Sequence, residues 1–193
     1  METELIRAVP LDARADADLA RAAKIIRDGG LVVFPTETVY GLGADATSAP
    51  AAAKIYAAKG RPSDNPLIIH VARPEDAARY TETNATYDAL ARAFMPGPLT
   101  VILRSKENIP KTTRGGLDTV AVRCPSHPVA HRLIELAGVP IAAPSANLSG
   151  SPSPTDVAHV IDDMRGRVDM IIDGGASEFG LESTIVKVED EGS

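Results

Sequence analysis

Two stretches far apart in the chain carry residue types suited to holding anions. The first is Lys59-Gly60-Arg61-Pro62-Ser63-Asp64-Asn65-Pro66. Lysine offers a point charge to phosphate, and arginine offers a planar fork of donors. Pro62 and Pro66 restrict the backbone between them. The same residues also fit a plainer role, because cations commonly close a helix C-terminus. The second is Ile141-Ala142-Ala143-Pro144-Ser145-Ala146-Asn147-Leu148-Ser149-Gly150. Here an apolar strand runs into small polar residues whose hydroxyl and amide groups can bond a carboxylate, a ribose or phosphate oxygens. Read alone, it is equally an ordinary polar turn. Arg123 ends another apolar run, Asp173-Gly174-Gly175 ends a third, and Ser183-Thr184 opens the last. Open sheets place ligands at the carboxyl ends of strands, so these polar ends outline a cleft.

Other patterns lead nowhere. Gly41-Leu42-Gly43-Ala44-Asp45-Ala46 matches the dinucleotide pattern G-x-G-x-x-A. That pattern needs a strand directly before it, and the expected strand ends several residues earlier, near Phe34. The two glycines are therefore read as a tight turn. His127 and His131 stand four apart, as in zinc helices, but Pro128 occupies the place of the expected glutamate. No Cys/His cluster offers another ligand set, so no protein metal site is expected.

The 193 residues suit one domain, and a hydrophobic content of 44% can build a core without staples. No apolar run approaches the ~18–20 residues of a membrane span. The polar start Met1-Glu2-Thr3-Glu4 is unlike a secretion signal. The single cysteine, Cys124, fits a reducing compartment, so a cytoplasmic protein is expected. A net charge of −6, no tryptophan and 4% aromatic residues argue against strong autonomous nucleic-acid binding.

The elements that must position these residues follow from spacing. Asp16–Asp28 reads as a helix stopped by Gly29-Gly30, then Leu31–Phe34 as a strand and Pro35–Thr38 as a loop. Ser48 caps a helix that runs to Lys59 and ends at Gly60. Strands are expected at 67–71, 99–103, 119–123, 139–143, 168–172 and 184–188. Helical stretches are expected near 75–80, 87–94 and 127–137, with Gly138 as the stop. A further helix runs to Met164 with Thr155 as its cap. Strands and helices alternate without a strict βαβ rhythm, which predicts one α/β domain with a mixed sheet. Residues 189–193 read as a disordered acidic tail.

At these residues the sequence closely resembles the YrdC family. The matching stretches are Phe34-Pro35-Thr36-Glu37-Thr38-Val39-Tyr40-Gly41-Leu42-Gly43, Lys59-Gly60-Arg61-Pro62 with Asn65-Pro66-Leu67, and Pro96-Gly97-Pro98-Leu99-Thr100. They continue with Val120-Ala121-Val122-Arg123, Ala143-Pro144-Ser145-Ala146-Asn147, Ser153-Pro154-Thr155 and Glu182-Ser183-Thr184-Ile185-Val186. All seven lie in the family's order. The resemblance implies a twisted mixed sheet flanked by helices around a large concave cleft. It also implies a reaction in which ATP, L-threonine and bicarbonate (or carbon dioxide) give threonylcarbamoyl-adenylate and pyrophosphate. Mg²⁺ would accompany the ATP, and a tRNA-modification transferase complex would carry the group to adenosine 37 of tRNA.

By the same resemblance, Lys59 and Arg61 are catalytic and bind ATP with Asn65, Thr119, Asn147 and Thr155. Thr38, His70, Arg123 and Ser145 would hold threonine, with Ser183 lining the cleft beside it. The chain departs from the family pattern at Met95, where tryptophan is frequent, and at Lys187, where aspartate is usual. It also stops soon after Val188, where many relatives continue with a basic stretch. Other residues are therefore expected to close the ATP site, unless the chain is shortened. Two other functions fit parts of this pattern: a carbamoyl-adenylate-forming domain, and a non-catalytic module with weak tRNA or double-stranded RNA binding.

Overall fold

Short polar side chains and glycines set the helix ends. The computed structural model, which describes residues 2–189, begins helix α1 (Ala13–Arg27) at Asp12, whose carboxylate accepts from the Ala15 amide at 2.9 Å. The helix therefore starts three residues before the expected Asp16. Ser48 caps α2 (Ala49–Lys59), and Gly60 closes it with φ 61°. That left-handed turn costs little only for glycine, and it lets Lys59 and Arg61 leave the helix end in different directions. A 3₁₀ helix spans Pro74–Arg79. Helices α3 (Ala85–Phe94), α4 (Pro128–Ala137) and α5 (Val157–Met164) follow. Asp156, not Thr155, caps α5: its carboxylate accepts from the Ala158 amide at 2.8 Å.

Among the described residues nine strands form one sheet: β1 (Glu4–Arg7), β2 (Val32–Phe34), β3 (Gly41–Asp45), β4 (Ile68–His70), β5 (Leu99–Arg104), β6 (Thr119–Arg123), β7 (Ile141–Ala142), β8 (Met170–Asp173) and β9 (Thr184–Lys187). Their order is β1-β8-β2-β3-β7-β4-β6-β5-β9. Four neighbouring pairs are parallel and four antiparallel, so the sheet is mixed as expected.

Two strands were not legible from spacing. Glu4–Arg7 adds an edge by pairing with β8. The second, Gly41–Asp45, is the stretch read as a tight turn; it runs antiparallel to β2, with Phe34 opposite Gly41. Its glycines serve close packing. A Cβ on Gly43 would stand 2.7 Å from Phe34 Cε1 and 2.8 Å from Ile141 Cγ2. Neither glycine has a positive φ.

The alternation of side chains along the strands sends one set to each sheet face. Val32, Phe34, Met170 and Ile172 face α1 and α4, meeting Leu19, Ile26 and Leu133. Leu31, Val33, Leu42 and Ile171 join Ile55, Leu67 and Val160 in the other core layer. The whole stretch Leu31–Ala44 is buried. At the opposite end β9 is an edge strand paired, among the described residues, with β5 alone, and three of its four residues are exposed. Residues 190–193, most of the expected acidic tail, lie outside the described part.

Candidate functional site

A pocket of about 290 Å³ lies along β6 and its neighbours. Because side chains alternate along a strand, Thr119, Ala121 and Arg123 all line it. At ~3.3 Å per residue, Thr119 and Arg123 stand about 13 Å apart, so the pocket has two distinct ends. The strand register assigns the other residues to them. His70 pairs with Arg123 across β4 and β6, and Ile68 pairs with Ala121. On the other side Thr100 pairs with Arg123 and with Ile185.

The Arg123 end is buried and pre-assembled. Glu37 and Arg123 side chains are 2% and 5% exposed and form an ion pair at 2.5 Å. The other carboxylate oxygen of Glu37 accepts from the Ser126 amide at 3.2 Å. A second guanidinium nitrogen donates to Thr38 Oγ1 at 2.8 Å, and that hydroxyl is also 2.9 Å from Thr36 Oγ1. Glu37 is required here because an unpaired guanidinium at this depth would be strongly destabilising. His70 is buried beside Arg123. Burial first, and the Arg123 charge second, pull its pKa down to about 3, so the imidazole is neutral. Ser183 shares a 2.7 Å hydrogen bond with Thr100.

The loop leading to Ser183 is tied down along its length. Tyr40 Oη donates to the Gly175 carbonyl at 2.6 Å. The Ser177 amide donates to the Thr155 carbonyl at 2.8 Å, and the Phe179 amide to the Glu37 carbonyl at 2.9 Å. Glu182, on the same loop, also lines the pocket and accepts from Ser153 Oγ at 2.6 Å.

The Thr119 end is open. β4 runs parallel to β6, so Asn65, Pro66 and Leu67 approach it at this end. Arg61 is half-buried and curls over its own turn, donating to the carbonyls of Asn65 at 3.4 Å and Pro66 at 3.2 Å. Burial lowers its pKa, but a guanidinium stays charged. Leu117 lines the pocket here while 49% exposed, and Ile185, level with Arg123 through Thr100, lines its other end while 56% exposed. Ile102 joins them, giving an apolar wall beside the polar groups.

Ser145 follows the end of β7. It bridges to Gly41 of β3 and lines the pocket. Behind it, Lys59 is only 2% exposed. Its ammonium donates to the carbonyl of Ser145 and, at 2.6 Å, to that of Asn147. The Asn147 side-chain amide turns inward to the carbonyls of Leu148 at 2.8 Å and Ser151 at 2.7 Å.

A pocket with a cation at each end on a mixed sheet invites comparison with known proteins. A family model described as telomere recombination, that of the Sua5/YciO/YrdC domain, matches residues 24–193. The chain belongs to the Sua5/YciO/YrdC family. This YrdC-family chain is 53% identical over 170 residues to a threonylcarbamoyl-AMP synthase of Pyrococcus abyssi, covering 88% of the chain and 50% of that protein. It is 50% identical over 181 residues to the Bacillus subtilis protein of the same name, covering 91% and 51%. The chain thus spans about half the length of these two relatives. The crystal structure of P. abyssi Sua5 complexed with L-threonine superposes with a TM-score of 0.93 at 47% identity, over 100% of this chain and 56% of that one.

Within this YrdC domain, eight residues expected at the site line one pocket: Thr38, Arg61, Asn65, His70, Thr119, Arg123, Ser145 and Ser183. Three do not. Lys59 and Asn147 lie behind Ser145, and Thr155 holds the Ser183 loop through its carbonyl. Glu37 was not foreseen as part of the site. Its sequence signal was available: a lone acid inside the otherwise uncharged run Leu31–Ala44 must find a buried partner. Glu182, Leu117, Ile102 and Ile185 were also missed, since nothing local marks a side chain as pocket-facing. Among the described residues, no three His, Cys, Asp or Glu side chains gather as a metal site. No helix among them is long and apolar enough to cross a membrane.

Proposed function

We propose that this domain forms L-threonylcarbamoyl-adenylate and pyrophosphate from ATP, L-threonine and bicarbonate or carbon dioxide, as a cytoplasmic nucleotidyltransferase. The observation carrying this reading is the placement of two cations, Arg61 and Arg123, at opposite ends of one pocket. A ligand pair bearing a carboxylate and a triphosphate needs that separation. The likeness to a protein solved with L-threonine supports the amino-acid half.

In this mechanism Arg123 and Ser145 bind the threonine carboxylate and leave the amine free. The neutral amine attacks carbon dioxide to give a carbamate, and the displaced N–H proton passes to water. A carbamate oxygen then attacks the α-phosphorus of ATP, and pyrophosphate leaves with Mg²⁺ that arrived with the nucleotide. Both nucleophiles belong to substrates, so the protein's work is positioning and charge stabilisation. Arg61 offsets charge on the phosphates, with Asn65 and Thr119 beside it. Neutral His70 and Thr38 suit the threonine hydroxyl, because an uncharged hydrogen-bonding site rejects an analogue lacking that group. A tRNA-modification transferase complex would receive the adenylate.

The deciding experiment is pyrophosphate release from ATP, with and without threonine and bicarbonate. Release that depends on both supports the reading. Release indifferent to threonine defeats it, and equal activity with valine defeats the hydroxyl assignment. Tight, salt-dependent tRNA binding without threonine-dependent release would favour an RNA-binding module instead.

A further inference from the structure

We propose that Lys59 is a positioning residue that sets the pose of Ser145 in the pocket by clamping the 145–149 segment, and does not itself meet the triphosphate. The inference rests on the proposed function only for what Ser145 binds. The clamp itself is read from geometry.

Lys59 holds that segment through both its side chain and its backbone. Its ammonium donates to the carbonyls of Ser145 and Asn147 and lies 3.4 Å from Asn147 Oδ1. Its own carbonyl accepts from the Ser149 amide at 2.9 Å. An ammonium has three hydrogens, and these three oxygens occupy them. At 2% exposure the side chain has no open approach to solvent. Arg61, two residues on, lies past the Gly60 turn and lines the pocket. The two cations therefore have separate tasks.

The segment needs such a clamp because it is short of regular structure. β7 ends at Ala142, and the next helix begins at Val157. From the other side, the Leu148 amide donates to the Asp163 carboxylate at 3.0 Å. The Ala146 amide donates to the Tyr40 carbonyl at 2.8 Å. Without the ammonium, the carbonyls of Ser145 and Asn147 would be buried without that donor, and the cheapest relief is for the segment to shift. Ser145 Oγ would move with it.

The charged groups acting on Lys59 are Arg61, which disfavours its proton, and Glu182 and Asp163, which favour it. Burial is the largest influence and, with Arg61, outweighs the two carboxylates, lowering its pKa to about 8. Loss of the proton removes one donor from the clamp. Threonine affinity in the unmodified protein should therefore weaken as pH rises through that value, beyond the change due to the substrate's own amine.

The test uses the full chain with Lys59→Met, Lys59→Gln and Arg61→Ala. Threonine and a non-hydrolysable ATP analogue are titrated separately, and amide hydrogen exchange is followed over 145–151. Both Lys59 variants should weaken threonine about tenfold, the loss expected for one buried hydrogen bond, and leave the nucleotide within about twofold. Exchange over 145–151 should speed up without ligand. Arg61→Ala should show the reverse ligand pattern and unchanged exchange. The alkaline loss of threonine affinity, taken relative to the Lys59→Gln protein so that the substrate's titration cancels, should be seen only with lysine present. If Lys59→Met fails to fold, Lys59→Gln and the pH series still decide. Unchanged exchange over 145–151, or nucleotide loss matching Arg61→Ala with threonine unaffected, overturns the inference. If the unmodified protein binds neither ligand, the proposed function falls while the exchange measurement still judges the clamp.

Discussion

The two ends of the pocket are built on opposite plans. At the Arg123 end, Glu37, Thr38, His70 and Arg123 are all 5% exposed or less and hold one another or the adjoining backbone. At the Thr119 end, Arg61 makes two long bonds to its own turn, Asn65 is exposed, and Leu117 stands half in solvent. A ligand at the first end meets donors whose ordering cost was met during folding. A ligand at the second must gather its donors as it binds. The first plan suits discrimination of a small, shape-defined group. The second suits a long flexible anion that must be admitted and let go, as the proposed reaction with ATP requires.

Breaking the buried ion pair should have the largest effect. Glu37→Ala leaves a guanidinium at depth without its carboxylate, so stability should drop by about 3–5 kcal/mol in urea unfolding. A loss under 1 kcal/mol would show that water or backbone replaces the carboxylate, and the pre-assembled description would fail. At the open end, Arg61→Ala should leave unfolding unchanged and slow adenylate formation roughly 10²–10³-fold. Pyrophosphate release at the unmodified rate would remove Arg61 from the reaction.

A pH titration sharpens the contrast. The His70 imidazole takes up a proton near its ordinary 6.5 in the unfolded chain but only near 3 when folded. Between those values the unfolded state binds more protons. The stability His70 contributes is therefore complete above about 6.5 and lost as pH falls toward 3, at up to about 1.4 kcal/mol per pH unit. His70→Gln should flatten that acid limb; an unaltered limb would mean that other groups cause it.

Smaller effects should follow at the packing under the buried end and at the rim. Gly43→Ala forces a methyl against the Phe34 ring and Ile141, which should cost about 1–3 kcal/mol. A neutral result would mean that β2 and β3 can part. Leu117→Ala, at the exposed rim, should stay within about 0.5 kcal/mol, and a larger loss would show that the rim is part of the core.

Much of this was legible from local chemistry. Ser48 and Gly60 mark the ends of α2 because one supplies a capping oxygen and the other a left-handed turn. The apolar run 31–34 marks a buried strand. The Gly41–Gly43 stretch was misread because glycine signals a turn locally, while here its missing side chain admits Phe34 from a neighbouring strand. Asp156 took the cap expected of Thr155 because two adjacent residues both carry suitable oxygens, and only backbone direction chooses between them.

The residue types and their order suffice for the family, the mixed α/β class and eight of the residues that line the pocket, since each motif carries its own turn, cap or charge. Which cation meets a ligand was decided by the folded structure. Lys59 and Arg61 look interchangeable in one dimension. The Gly60 turn buries one against the carbonyls of a segment more than eighty residues away and leaves the other at the pocket. The pairing of Glu37 with Arg123 is of the same kind. Burial and partnership depend on which strands become neighbours, and that is a property of the whole sheet.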